Sequence, residues 1–328
     1  MQVEFPGLFD LQVNGFAGVD FNDGKTTTFD VLLAIGRLRQ TGVTRFLPTL
    51  ITSSLEQFAT CARTLLKVRH EAIAGLHMEG PYISPEDGAR GTHARQYVGA
   101  ASVDDFLRRQ ELAEGQIRIV TLAPEVPGAI PLIEYLVETK VRVAIGHTAA
   151  TASKIRDAVM AGATLSTHLG NGCDLIMPRH PNLIWDQLAN DGLHASLIAD
   201  GHHLPAATVK AMVRAKQPER IILVTDATAA AGCGPGVYSL AGETVVVDES
   251  GRVAAPGKPW LAGSALTMDR AVAQMVAFTG LPLATVWDMA SVRPAEYLGL
   301  KAAGRVTAKW DDRTHQLSGI KVVDAPSS

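Results

Sequence analysis

Several short apolar runs of this chain end in residues that could share one piece of chemistry. Gln12 and Asn14 end the run 7–14, Glu79 ends 74–79, His147 ends 141–147, His168 ends 163–168 and Asp226 ends 220–226. One carboxylate and two imidazoles form a ligand set suited to Zn²⁺ with a coordination position left for water, and a further carboxylate nearby can serve as general base. A single His at a strand end is more often a polar rim residue than a ligand. Glu79, His147 and His168 together, each ending its own run, point instead to a metal. Strand alternation sets His77 on the same side as Glu79, where it competes as a ligand; a supporting role is the preferred reading. Asp226 could cap a helix, but a carboxylate after four consecutive apolar residues favours catalysis.

Such residues need a scaffold that gathers distant chain segments. Eight β-branched or apolar runs (7–14, 44–49, 74–79, 117–122, 141–147, 163–168, 195–200 and 220–226) read as strands. Helix-length amphipathic stretches lie between them at 29–41, 54–69, 130–139, 150–161 and 205–215, the first with Val31, Leu32, Ile35 and Leu38 on one face. Strands alternating with helices predict a parallel sheet. Eight units close a (β/α)₈ TIM-type barrel, an α/β fold whose chemistry sits at the C-terminal strand ends. The barrel is expected over 6–300, with a β-hairpin insertion near 236–262 (the hairpin itself at 243–253) and helices at 267–278 and 282–298. Segments 1–5 and 301–328 are expected to be remnants of a small, reduced β subdomain, with strands at 305–308 and 318–323.

Composition narrows the function classes. Of 328 residues, 47% are hydrophobic and 19% charged, a globular balance. With 30 Lys and Arg against 33 Asp and Glu, the formal charge is −3, which argues against a nucleic-acid surface. No apolar run is long enough to span a bilayer. The first residues show no basic region leading into an apolar stretch, so no signal peptide is expected. Three cysteines imply no disulfide framework and fit a reducing, cytoplasmic setting.

The motifs Pro6-Gly7-Leu8-Phe9-Asp10-Leu11-Gln12-Val13-Asn14-Gly15, His77-Met78-Glu79-Gly80-Pro81, Gly146-His147-Thr148, Thr167-His168-Leu169, Ile198-Ala199-Asp200-Gly201-His202-His203, Val224-Thr225-Asp226-Ala227 and Leu261-Ala262-Gly263-Ser264 occur in this order. Together they make the chain, from about Pro6 to Leu300, resemble the N-acetylglucosamine-6-phosphate deacetylases of the amidohydrolase superfamily. The resemblance implies a (β/α)₈ barrel with a small β-sandwich, usually in a homodimer, that hydrolyses the acetamide of an amino-sugar phosphate to acetate and free amine. It implies Glu79, His147 and His168 as ligands of one divalent metal, with Zn²⁺ expected and Fe²⁺, Mn²⁺ or Co²⁺ as alternatives. Asp226 then matches the catalytic aspartate, and His203 a histidine that contacts substrate and steadies the oxyanion.

For substrate binding, the resemblance implies His93, Asn171, Gly172 and Arg179, the last three for the phosphate, together with Gln12, Asn14, Leu261 and Gly263. In several members the phosphate pocket is completed across the dimer interface. Many amidohydrolases carry His-x-His on the first strand, which supports a second metal; this chain has Gln12-x-Asn14, and neutral amides are poor Zn²⁺ ligands, so one metal is expected. The chain begins just before its first barrel strand, without the upstream strands of relatives, and Gly170, Cys173 and Trp185 depart from the family pattern near the pocket. Those departures leave open another N-acetyl amino sugar, non-phosphorylated or of different epimer, or a cyclic amide. A non-catalytic sugar-phosphate-binding barrel is the remaining alternative.

Overall fold

The computed structural model describes residues 1–258 and 261–323. Eight parallel strands follow one another in sequence and in space: β1 (Leu8–Val13), β2 (Val43–Ile51), β3 (Leu76–Glu79), β4 (Ile117–Leu122), β5 (Arg142–Ile145), β6 (Leu165–Ser166), β7 (His194–Leu197) and β8 (Ile221–Leu223). They are buried along nearly their whole length because helices cover the outside and side chains fill the inside, which is why they read as continuous apolar runs. Closure comes from the segment after β8. Val13 bridges Ala227 in parallel, and the amides of Asn14 and Gly15 donate to the Ala227 carbonyl at 2.7 and 3.1 Å. The ring therefore closes beside the residue that follows Asp226.

Helix Thr28–Arg39 starts at a capping box, Thr27 accepting from the Asp30 amide while Asp30 accepts from the Thr27 amide. Its buried face is Val31, Ala34, Ile35 and Leu38. Leu32, expected on that face, is 47% exposed, because 100° of rotation per residue carries it off the i, i+3, i+4, i+7 stripe. The expected helix over 282–298 is two, Leu283–Met289 and Val292–Tyr297. Pro294 has no N–H to donate to the Ala290 carbonyl, so the first helix cannot run on through it. Helices Val103–Leu112 and Leu183–Ala189 were not legible in the periodicity.

Two small antiparallel sheets flank the barrel. In one, Gln2–Pro6 pairs with Arg305–Asp311, which pairs with Gln316–Val323. The other contains Gly236–Leu240, Glu243–Val247 and Val253–Ala254. The turn read at 243–253 joins its second and third strands, and the sequence reading missed Gly236–Leu240. Residues 259, 260 and 324–328 of the expected insertion and tail lie outside the described residues. The second sheet has its own core, in which Leu240, Val245, Val247 and Val253 pack with Ile51 at the end of β2, Ala230 and Ala262. That contact seats the insertion over the C-terminal rim of the barrel.

Candidate metal centre and active-site cavity

Glu79 is the last residue of β3, while His147, His168 and Asp226 lie two to three residues beyond β5, β6 and β8. The latter three have left-handed backbone angles, φ +50°, +30° and +50°. For non-glycine residues that conformation costs on the order of 1–3 kcal/mol each and persists only where the surroundings enforce it. Here it turns each side chain off its strand line and into the mouth of the barrel.

Three donor atoms meet there. Glu79 Oε1 lies 3.2 Å from His147 Nε2 and 3.1 Å from His168 Nε2, and the two ring nitrogens are 3.1 Å apart. Ligands about 2.0–2.1 Å from one tetrahedral ion sit roughly 3.3 Å from each other, so the spacing suits a single small cation. The tautomer suits it as well. His147 Nδ1 donates to the Ala89 carbonyl at 2.9 Å, which leaves a lone pair on Nε2. Burial alone would raise the Glu79 pKa, but His147 and His168 outweigh it and hold the carboxyl well below its ordinary value. Among the described residues, this trio is the one group of His, Cys, Asp and Glu whose donor atoms converge as metal ligands do.

His77 is not a ligand. Its Nδ1 faces the Leu11 carbonyl at 3.0 Å and its Nε2 the Thr121 hydroxyl at 2.7 Å, a hydroxyl that also meets Thr167 Oγ1 at 2.7 Å. Both ring nitrogens are committed to tying β1, β3 and β4 to the His168 turn. Burial pushes this imidazole down to about 4, keeping it neutral.

Gln12 and Asn14 work differently from the sequence expectation. Gln12 does not line the cavity; it is buried and its Nε2 donates to Glu79 Oε1 at 2.8 Å and to Asp226 Oδ1 at 3.1 Å. Asn14 lines the cavity but spends its amide on Asp226 Oδ1 at 2.7 Å. One amide nitrogen thus bridges two carboxylates where a second cation would otherwise balance their charge. Two N–H donors on Oδ1 orient Asp226 and leave Oδ2 as the oxygen available to a proton. Burial and then the Glu79 charge push the Asp226 pKa up to about 6. Beneath it, Asp10 anchors the preceding residue, accepting from Thr225 Oγ1 at 2.5 Å and the Thr225 amide at 3.3 Å. Burial raises Asp10 itself to about 7.

A cavity of about 470 Å³ opens on this centre. His93 lines it, fully buried, with Nε2 3.7 Å from Glu79 Oε2 and Nδ1 bonded to Thr52 Oγ1 at 2.8 Å. Burial, then the neighbouring His147, drives its pKa down to about 3. His203 also lines the cavity; its Nδ1 donates to Asp200 Oδ2 at 2.6 Å, which fixes the ring. Asn171, Gly172, Leu261 and Gly263 are wall residues.

Gly172 has φ +55°, and a Cβ there would stand 3.0 Å from His147 Nδ1 and 3.1 Å from His168 Cε1. Its glycine is required by the two ligand rings. Gly172→Ala is therefore expected to lower zinc affinity by roughly 10–100-fold, as misplacing a ligand's support does, measured by competition with a chromogenic chelator.

Arg179, expected at the phosphate, does not reach the site within one chain. It is exposed on the loop before helix Leu183–Ala189 and is absent from the cavity lining. Arg252 does line the cavity, and sequence reading missed it because Ser250-Gly251-Arg252 looks like an ordinary solvated turn. Cys173, Met177 and Ile184 are apolar residues of the cavity wall.

Comparison with known proteins agrees with this geometry. The amidohydrolase family model matches residues 4–311. An N-acetylglucosamine-6-phosphate deacetylase of Bacillus subtilis (strain 168) is 34% identical over 306 residues, covering 91% of this chain and 76% of the relative. An N-acetylgalactosamine-6-phosphate deacetylase of Escherichia coli O157:H7 is 36% identical over 301 residues, covering 90% and 78%. The Mycobacterium smegmatis N-acetyl-D-glucosamine-6-phosphate deacetylase, solved as a mutant in complex with N-acetyl-D-glucosamine-6-phosphate, superposes with a TM-score of 0.90 at 30% identity, over 99% of this chain and 87% of that one. The chain belongs to the amidohydrolase family and, within it, to the N-acetylglucosamine-6-phosphate deacetylases.

Proposed function

We propose that this protein hydrolyses the acetamide of N-acetylglucosamine-6-phosphate to glucosamine-6-phosphate and acetate. The observation that carries the reading is the meeting of Glu79, His147 and His168 within hydrogen-bond distance of one another, tied through Gln12 to an oriented Asp226. Glu79, His147 and His168 would hold one divalent metal, zinc by the chemistry of the set, and that ion would supply Lewis-acid polarisation and lower the pKa of water toward about 7.

The protein's own residues handle the rest. Asp226 takes the proton of the attacking water on Oδ2 and returns it to the amide nitrogen, since an amine leaves only when protonated. Gln12 and Asn14 keep Oδ1 occupied so that the same oxygen serves both transfers. His203, whose Nδ1 is taken by Asp200, has Nε2 left for the substrate; paired with that carboxylate as an imidazolium, it donates toward the developing oxyanion. His93, neutral and buried beside Glu79, contacts the substrate from the loop after β3.

The galacto epimer is a second reading, supported by the Escherichia coli relative at 36% identity. A homodimer is part of the proposal: Leu175, Ile176 and Trp185 are exposed apolar side chains on the same loop and helix as Arg179, a combination that a second copy would cover. No helix among the described residues is long and apolar enough to cross a membrane. The test is acetate release by the zinc-loaded enzyme from N-acetylglucosamine and N-acetylgalactosamine, each with and without 6-phosphate. Turnover of the gluco 6-phosphate ahead of the other three is expected; no release from any of them removes the assignment.

A further inference from the structure

The β insertion brings an arginine to the cavity wall that the sequence motifs do not mark. Among the described residues that line it, Arg252 is the single Lys or Arg side chain. Arg252 is half-buried as a residue, and its guanidinium has no hydrogen-bonding or carboxylate partner among the described residues. An arginine without a partner on a cavity wall is free to take an anion, because guanidinium presents a planar fork that matches phosphate oxygens.

Its position is built rather than incidental. Asp248 Oδ1 accepts from the Ser250 and Arg252 amides at 2.8 and 3.1 Å, and the Asp248 amide donates back to the Arg252 carbonyl at 3.2 Å. The turn is pinned to the barrel by His202, whose Nε2 donates to the Ser250 carbonyl at 3.0 Å. Val253, the next residue, is buried in the small core that rests on Ile51. His202 stands next to His203, so the insertion sets Arg252 on the same wall as the histidine assigned to the oxyanion.

We infer that Arg252 is a specificity-determining residue that receives the phosphate of the substrate within a single chain, a role that rests on the proposed deacetylation of a hexosamine 6-phosphate. To the phosphate set of Asn171, Gly172 and Arg179 that the motifs imply, it adds a cation held by the β insertion. Among the described residues Arg252 is the one Lys or Arg on the cavity wall, so the charge of a phosphate is met there.

The experiment compares kcat and KM of wild type, Arg252→Ala and Arg252→Lys on N-acetylglucosamine-6-phosphate and on unphosphorylated N-acetylglucosamine. Binding of glucosamine-6-phosphate is followed in parallel by calorimetry. Loss of a charge-assisted pair is expected to raise KM for the phosphorylated substrate on the order of tenfold to a hundredfold, with kcat little changed. The preference for the phosphorylated sugar should fall by the same factor. Arg252→Lys should lie between, since it keeps the charge and loses the fork, and glucosamine-6-phosphate should bind correspondingly more weakly to Arg252→Ala.

An unchanged KM and an unchanged product affinity in Arg252→Ala, with wild-type deacetylation intact, overturn the role of Arg252 and leave the proposed function standing. A wild-type enzyme that turns over neither sugar overturns both. An equal loss on both substrates, together with a lowered Tm, shows a structural role for the turn and also overturns the inference.

Discussion

Asp226→Asn is expected to lower kcat by roughly a thousandfold or more while the chain keeps its metal, fold and substrate affinity. The magnitude follows from what a positioned proton carrier contributes, roughly 10²–10⁴-fold for general acid–base catalysis; here one group must serve in both directions. The variant is well suited to the question because the amide oxygen of Asn can still accept from Gln12 and Asn14, which now hold Oδ1 at 3.1 and 2.7 Å. Position is preserved and only basicity is lost. Steady-state kinetics with metal analysis on the same sample reads the result; substantial turnover in a metal-replete variant would take Asp226 out of the proton path.

The same residue sets a pH limb. Asp226 is active as the base, and burial together with Glu79 puts its pKa at about 6 in the chain without its ion. Activity should therefore fall as pH drops through that region, with a slope of one proton. A cation held by Glu79, His147 and His168 favours the ionised form, so in the loaded enzyme the limb moves to lower pH. A kcat/KM that rose on acidification would contradict the assignment.

Glu79→Gln is the second large effect. It removes the one anionic donor among the three and leaves two imidazoles about 3 Å apart with no charge to gather a cation. Losing an outer partner of a metal ligand costs roughly 10–100-fold in affinity; losing the ligand itself should cost more, and activity should fall with occupancy. The change also reaches Asp226, since Gln12 bridges the two carboxylates. Between the two metal-free proteins, removing the Glu79 charge lowers the repulsion that helps to raise Asp226, so its pKa should fall in the variant. Chelator competition gives the affinity, and a Tm within a few degrees of wild type shows that the barrel has survived.

Much of this was legible in the chain because strand ends carry a simple signal. One His at a strand end says little, but runs of one barrel that end in Glu, His, His and Asp point to a shared site, so Glu79, His147, His168 and Asp226 were readable from the sequence. The eight runs were readable for the related reason that strands buried on both faces cannot alternate. Side-chain aim was not readable. The left-handed turns at His147, His168 and Asp226 leave no mark on sequence, and Gln12 looked like a cavity residue until its amide was seen between two carboxylates.

Arg179 and Arg252 show the same limit at the rim. Both are lone arginines in Gly- or Pro-containing loops, and which one faces the cavity depends on how the insertion docks on Ile51, a contact between positions some two hundred residues apart. Leu240 and Val253 promise a small core, but nothing local says what it rests against. The break at Ala290-Ser291 could have been found, since Pro294 four residues on forbids a continuous helix.

The measurement that bears most directly on the mononuclear hydrolase is metal stoichiometry. Wild type and Glu79→Gln would be stripped, reconstituted with excess zinc, freed of unbound ion and assayed by elemental analysis. One zinc per chain in wild type and far less in the variant is the expected result. Two per chain would show that the Gln12 bridge does not replace a second ion, and none would dissolve the metal centre on which the chemistry rests.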